Sequence, residues 1–286
     1  MLRSTGRQRD VSPIVGGLVM MRGTDRDYLL SEQYRTGVNL QVRRAFHERY
    51  ATNPRGEARW IFDQLDLPPT ARVLEVGCGN GALWSQNAAR IPRGWRLTLT
   101  DLSDGMIQET RRSLTSLPCS LECRVVDGQA LPFPSNSFVA VLANYVLYHV
   151  PDVGRAISEA ARVLAPSGRF YAATHGADYM REMNEFTRIL DPAIDTRRRS
   201  FKLENGGDLL RRSFQSVELR RYEDSGEVDS PEAVVQYVVS GVPSETITEE
   251  RLRELDHAVR ERMSTNGGRL TFSNRTGLFV ASEPRL

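Results

Sequence analysis

Hydrophobic and polar positions along this chain follow two rhythms. Between residues 57 and 175, short apolar runs alternate with stretches of helical spacing. The pattern predicts strands at Arg72–Val76, Arg96–Thr100, Leu121–Val126, Phe138–Ala143 and Arg169–Thr174. Helices are predicted at Glu57–Leu65, Gly81–Ala89, Ser103–Leu117 and Val153–Leu164. Such alternation implies a parallel sheet with helices on both faces. Upstream, residues 24–52 carry helical spacing, with Leu40, Phe46, His47 and Tyr50 on one side, until Asn53-Pro54-Arg55-Gly56 breaks it. Residues 1–20 read as a poorly specified arm. Downstream the rhythm loosens. Residues 176–205 read as irregular and polar, followed by helices at Asp208–Phe214, Pro231–Ser240 and Leu252–Met263. The strands expected there are Ser216–Tyr222, Leu270–Ser273 and Leu278–Ala281.

Composition narrows the class. The 286 residues are 40% apolar and 26% charged, as in a globular enzyme with a substantial core. No apolar run approaches the length of about 18 residues that suggests a membrane span. No cleavable leader is evident, so a cytoplasmic protein without a membrane partner is expected. A net charge of +2 with no basic stripe argues against a nucleic-acid partner. The cysteines, Cys78, Cys119 and Cys123, are odd in number, and none sits at metal-ligand spacing. No compact acidic cluster appears either, so no metal is expected.

The chemistry is concentrated in VLEVGCGNGA, from Val73 to Ala82. An apolar strand runs into three glycines and then a helix, a turn that lets a ligand approach the main chain. Gly77-x-Gly79-x-x-Ala82 also fits a dinucleotide fingerprint, but its neighbours argue otherwise. Glu75 would set a carboxylate against a pyrophosphate. Asp101 ends the second strand, where it can accept from both ribose hydroxyls. Asp127 ends the third, where it can accept from an adenine amine. Either aspartate alone could simply cap the turn that follows it. All three acids in register with the glycines suit a ligand bearing an ammonium, a ribose and an adenine but no phosphate. S-adenosyl-L-methionine is such a ligand.

These stretches resemble the class I S-adenosylmethionine-dependent methyltransferases, in the broad group that includes the ubiquinone and menaquinone C-methyltransferases. The matching segments are VLEVGCGNG, LTDLSDGMI, VVDGQALPFPSNSFVAVLANYVLYHV and ISEAARVLAPSGRFYAAT, in order over residues 72–174. The resemblance implies an α/β, doubly wound, Rossmann-like sheet of seven strands. It implies a helical cap over residues 1–56 and a main domain over 57–286, with lid insertions at about 176–215 and 224–265. It places Gly77 and Gly79 under the methionine moiety, with Glu75 near its amino group. Asp101 becomes the ribose ligand, with Leu102 and Met106 against the adenine. Asp127 and Gly128 lie at the adenine edge, and Asn144 beside the sulfonium. The two ends of the chain depart from the family pattern.

His149, a few residues past the fourth strand, is the candidate general base or substrate-orienting group, although a backbone-bonded histidine at a helix start reads equally simply. His175 ends the fifth strand and is a second candidate for the pocket wall. In relatives the N-terminal segment closes over the cofactor. Tyr28 or Tyr34 would then bound the methyl group, and Arg43 would pair with the methionine carboxylate. Ordinary core packing explains these aromatic residues as well, and Tyr148 reads as either cleft wall or core. His47 and His257 read as packing or solvent-facing residues. The run Arg197-Arg198-Arg199 reads as a solvated charge cluster.

No Pro-Pro turn of the nucleic-acid amine methyltransferases follows the fourth strand, and no cysteine is placed for cytosine-C5 chemistry. The expected function is therefore methyl transfer to a small molecule at C, N or O. Protein or RNA methylation, or a cofactor-binding module without transfer, are the alternatives. A homo-oligomer stays open. Only Lys202 is lysine among the 38 basic residues, a skew that fits the GC-rich genome of an actinomycete and, with it, natural-product biosynthesis.

Overall fold

The computed structural model describes residues 24–192, 194 and 199–285. The expected arm at residues 1–20 lies outside them. The described residues open with α1 (Arg26–Tyr28), which passes into a π-turn at Leu29–Gln33, then α2 (Val38–Tyr50) and α3 (Glu57–Asp63). The central sequence is β1 (Arg72–Val76), α4 (Ala82–Gln86), β2 (Arg96–Asp101), α5 (Asp104–Ser113), β3 (Ser120–Val125), β4 (Phe138–Leu142), α6 (Val153–Val163) and β5 (Leu164–His175). After it come α7 (Arg181–Leu190), α8 (Gly206–Arg211), β6 (Phe214–Val228), α9 (Pro231–Val239), α10 (Glu249–Thr265) and β7 (Leu270–Pro284).

The seven strands form one sheet in the order β3-β2-β1-β4-β5-β7-β6. The first five are parallel, and β7 runs antiparallel to both β5 and β6. Strand alternation divides the core between two faces. Leu74, Val141, Phe170 and Ala172 pack on one face with α6 and with Leu210 of α8. Val73, Ala140, Leu142, Tyr171 and Ala173 pack on the other, with Trp60, Trp84 and Ile107 from α3, α4 and α5. Both faces of β1 and β4 are thus covered, which is why those strands read as nearly continuous apolar runs. The order reverses between β1 and β4, and an open α/β sheet offers its ligand crevice at such a point, beyond the carboxyl ends of the strands.

Two expectations need correction. Residues 176–205 are not irregular throughout, because Arg181–Leu190 is a helix whose Met183, Phe186, Thr187 and Leu190 are buried at helical spacing. Its polar flanks hid that stripe. The last two short strands are one 15-residue strand, β7, continuous through the polar stretch Ser273–Thr276. Those polar residues find partners beside the ladder: Ser273 N and Oγ donate to Glu182 at 3.0 and 3.1 Å, and Asn274 Nδ2 donates to Asp224 at 2.7 Å.

Beyond the His175↔Thr276 pair, β6 and β7 leave the sheet together as a two-stranded ribbon that ends at Val228↔Leu270. A third apolar cluster forms on this ribbon. It joins Phe46 and Tyr50 of α2, Met183 and Phe186 of α7, Val234 and Val238 of α9, Leu255 and Val259 of α10, and Phe272. The N-terminal helix and the segment between β6 and β7 therefore share one core. An isolated bridge, Ala51↔Gly226, ties α2 to the ribbon edge. Among the described residues, no helix is long and apolar enough to cross a membrane.

Gly226 pairs with Phe272 across the ribbon, and a Cβ there would run into the Phe272 ring. Gly226→Ala should therefore cost about 1–3 kcal/mol, the usual cost of overpacking. The urea-unfolding midpoint reads this out, and an unchanged midpoint would show that the ring gives way freely.

Candidate active site

At the end of β1 the chain turns through Gly77 (φ 70°) and Gly79 (φ 56°) before Gly81 opens α4. Both φ values lie in the left-handed region open to glycine. A Cβ on Gly77 would also collide with the Val146 side chain. The turn is held from β2: Gly79 N donates to Asp101 Oδ2 at 2.9 Å, and Ser103 N donates to Oδ1 at 2.9 Å. Burial raises the Asp101 carboxyl to about 6 despite these donors. Two amide bonds leave further lone pairs on a carboxylate that has acceptor sites for about four. Vicinal hydroxyls fit that remaining capacity.

Glu75 is 3% exposed. Its Oε2 accepts from Trp84 Nε1 at 2.6 Å and its Oε1 from Asn144 Nδ2 at 2.9 Å. Burial lifts its carboxyl to about 7, and the groups that act on it, Asn144, Trp84 and Asp101, bring no positive charge. The Oδ1 of Asn144 is buried without a partner. An acidic group poised between its charge states, beside an orphan acceptor, fits a ligand that brings a cationic donor. Leu102 follows Asp101, and Met106 is fully buried in the first turn of α5. Asp127 Oδ1 accepts from Gln129 N at 2.9 Å and from its Nε2 at 3.1 Å. Its Oδ2 meets Arg26 at 3.4 Å, an exposed pair worth little and easily displaced. Gly128 packs so closely on Val76 that a Cβ would intrude.

The N-terminal segment lies across these residues. Ser103 Oγ donates to Tyr34 O at 2.7 Å, and Gly37 N donates to Glu109 Oε1 at 2.6 Å. Tyr34 OH in turn meets His149 Nε2 at 2.9 Å. His149 closes the short turn Leu147–His149 after β4, with the Tyr148 ring 4.5 Å away. His175, at the end of β5, lies between two rings, Tyr179 at 3.7 Å and Tyr145 at 4.5 Å. Burial and the nearby Arg199 guanidinium hold His175 well below its ordinary value, so it is neutral at pH 7. Its Nδ1 is buried without a partner. Burial pushes the phenols of Tyr34 and Tyr148 up, which keeps both protonated.

Tyr34, Tyr148, His149 and His175 thus come together in one ring-lined cluster. Tyr28 stands apart, its phenol raised by burial to about 12 and joined to the cluster through Gln33. With the Gln33 amide oriented to satisfy its neighbours, its Nε2 donates to Tyr28 OH at 3.0 Å. Its Oε1 then accepts from both terminal nitrogens of Arg43, at 2.7 and 2.8 Å.

Several members were not singled out from the sequence. Tyr145 takes a strained φ of 56°, and Tyr179 lies in the stretch read as irregular. His47, read as a packing residue, bonds Tyr179 OH through Nε2 at 3.0 Å. Its pKa falls to about 4 through burial. Arg199 turns inward over Tyr148, 4.7 Å from the ring centroid, whereas Arg197 and Arg198 lie outside the described residues. The run Asn144-Tyr145-x-x-Tyr148-His149 was the available signal for Tyr145. Among the described residues no three His, Cys, Asp or Glu side chains gather as a metal site.

Residues 74–172 match the family model described as "Methyltransferase domain". The chain is 32% identical to the malonyl-[acyl-carrier protein] O-methyltransferase of Geobacter sulfurreducens, over 63% of this chain and 72% of that one. It is 34% identical to the 27-O-demethylrifamycin SV methyltransferase of Amycolatopsis mediterranei, over 38% of this chain and 40% of that one. With several curated relatives the chain spans less than half of their length, between 31% and 45%. Among solved structures, the phosphoethanolamine N-methyltransferase 2 of Haemonchus contortus superposes with a TM-score of 0.58 at 18% identity. That match covers 91% of this chain and 60% of the other, and it speaks to the fold.

Because the Glu75 carboxyl sits near 7 in the fold against an ordinary 4.5, ionising it costs folded-state stability. That stability is present below about pH 4.5 and lost as pH rises through about 7. Thermal melts of the ligand-free protein should therefore show Glu75→Gln gaining on the wild type across that window. Parallel curves would show that Glu75 carries no such cost.

Proposed function

The chain belongs to the class I S-adenosylmethionine-dependent methyltransferases, and from that premise we propose that it methylates a small-molecule acceptor at the ring-lined cluster around His149. One observation carries the reading. At the strand ends Asp101 holds the Gly77–Gly79 turn, Trp84 and Asn144 hold Glu75, and Tyr34 links Ser103, itself bonded to Asp101, to His149 of the cluster.

When bound, S-adenosylmethionine supplies a methyl group already activated on a sulfonium. The protein's own contribution is then position, dryness and proton management. Asp101 accepts from the ribose hydroxyls with its free lone pairs. Asp127 accepts from the adenine amine once Arg26 yields, with Gly128 keeping that edge clear. Leu102 and Met106 supply the apolar wall for the base. Glu75, with Asn144, balances the amino group, and the charge of that group favours the ionised carboxylate. Residues 24–56, with the helices of the ribbon, act as the cap that excludes water. Tyr34 and Tyr148 bound the methyl path, with Tyr28 behind them and His175 as the far wall. His149 takes the proton that an O–H, N–H or C–H acceptor releases as it gains the methyl group. Tyr34 fixes which edge of that ring is presented. A role in natural-product biosynthesis rests on the arginine-for-lysine composition and on the rifamycin-modifying relative.

Two results are expected. Asp101→Ala should weaken S-adenosylhomocysteine binding by about 1.5–3 kcal/mol, roughly tenfold to a hundredfold, in calorimetric titration of a folded variant. With methyl-labelled cofactor and a small-molecule extract of the host, label should enter the protein-free, RNase-treated fraction. His149→Ala should cut that transfer by about 10²–10⁴-fold while leaving S-adenosylhomocysteine affinity unchanged. Label found only in protein or RNA would overturn the small-molecule reading.

A further inference from the structure

Charge in the ring-lined cluster is unbalanced. Two of its histidines are held neutral: His175 well below its ordinary value, and His47 at about 4. Burial raises the phenols of Tyr34, Tyr148, Tyr179 and Tyr237, so none supplies an anion near neutral pH. Two guanidinium groups remain. Arg43 has a polar partner in Gln33. Arg199 rests on ring faces instead, 4.7 Å from the centroid of Tyr148 and 5.8 Å from that of Tyr179. No ion pair to Arg199 is formed among the described residues, although surface arginines elsewhere pair freely with carboxylates. Its field reaches Tyr34, Tyr148, His175, Tyr179 and Tyr237, groups drawn from four separate parts of the chain. The carboxyl of Glu57 is itself pushed up by burial and accepts from Thr276 at 2.8 Å. Beside Arg199's rings, His175 Nδ1 is buried with no partner.

A half-buried arginine stacked on aromatic faces keeps its in-plane N–H donors for a planar acceptor. We propose that Arg199 is the specificity residue for the acceptor, pairing with a carboxylate carried on a flat aromatic or conjugated body that lies against Tyr148, His175 and Tyr179. The inference rests on the methyltransferase reading of the same site. A single planar fork matches the two oxygens of a carboxylate. Two guanidiniums next to a sulfonium also disfavour a cationic amine as acceptor.

The test uses the full chain saturated with S-adenosylhomocysteine. Benzoate, cinnamate and indole-3-carboxylate, their neutral amides, and phenyl phosphate are titrated by ligand-observed NMR, against wild type, Arg199→Gln and Arg199→Lys. At least one acid should bind about tenfold or more tightly than its amide. Arg199→Gln should erase that preference, and Arg199→Lys should restore part of it. Unchanged S-adenosylhomocysteine affinity in both variants shows that they are folded and separates this site from the cofactor's. The inference is overturned if no acid binds, if acids and amides bind alike, if the preference survives Arg199→Gln, or if phenyl phosphate is preferred. Failure of the wild type to bind S-adenosylhomocysteine would instead sink the methyltransferase reading, and this inference with it.

Discussion

A carboxylate buried at the end of β1 governs what can be built above this sheet. Glu75 cannot hydrate, so its oxygens need donors, and they draw them from two directions. Trp84 reaches up from α4, and Asn144 reaches across from the end of β4. Those bonds fix the first turn of α4 and the exit of β4 relative to each other. The glycine turn runs between them, and its remaining freedom is removed by Asp101 from β2. Three strand ends are thereby locked by two acids whose protonated forms burial favours. A cationic, hydroxyl-bearing ligand reverses that preference. Such a ligand would complete the electrostatics of the proposed site, which separates it from an ordinary buried polar network.

The second constraint is mechanical. The cap does not rest on the sheet as a separate piece. Phe46 and Tyr50 of α2 share a core with α7, α9, α10 and the β6–β7 ribbon, while Tyr34 and Gly37 are bonded to α5. The N-terminal segment is therefore pinned at one end to residues that would meet the cofactor and at the other to those that surround the acceptor. Any change in how Ser103 and Glu109 hold the segment is transmitted to Tyr34, and through its hydroxyl to His149. Order in the cofactor half and geometry in the proposed acceptor half are coupled by covalent continuity over a few residues.

How much of this was legible in the sequence depends on the range of the interactions involved. The parallel half of the fold was readable because each strand and helix is local and buried on both faces. The residues at the ends of β1 and β2 were readable because glycine and a carboxylate at a strand end are locally unusual. The ribbon was not, since the polar Ser273–Thr276 stretch looks like a break until Glu182 and Asp224, far away in sequence, are brought beside it. The helix Arg181–Leu190 was hidden by the polar residues around it rather than by any lack of apolar spacing. The aromatic cluster was half visible: Tyr34, Tyr148, His149 and His175 stood out by position, but Tyr145, Tyr179 and His47 join only when α2 and β5 come together. Arg199 was read as solvated because a charge run normally is, and only the Tyr148 and Tyr179 ring faces show otherwise.

The two halves of the site carry opposite electrostatic characters, and that opposition bears on the chemistry. The proposed cofactor half is acidic, with Glu75, Asp101 and Asp127 at successive strand ends. The far half is basic, with Arg43 and Arg199 set among neutral rings. A sulfonium held between them as proposed would have carboxylates on one side and the guanidiniums on the other. An acceptor that brought a positive charge would meet repulsion from three sources at once. One that brings a negative charge would relieve the guanidiniums, and would lose that charge only if the charged atom itself took the methyl group. The pairing must therefore hold the acceptor through a group other than the reacting atom, or let go as the atom is neutralised. Ring contacts of the kind proposed at Tyr148 and Tyr179 would grip a flat body throughout the reaction, so the ion pair would need only to set its direction.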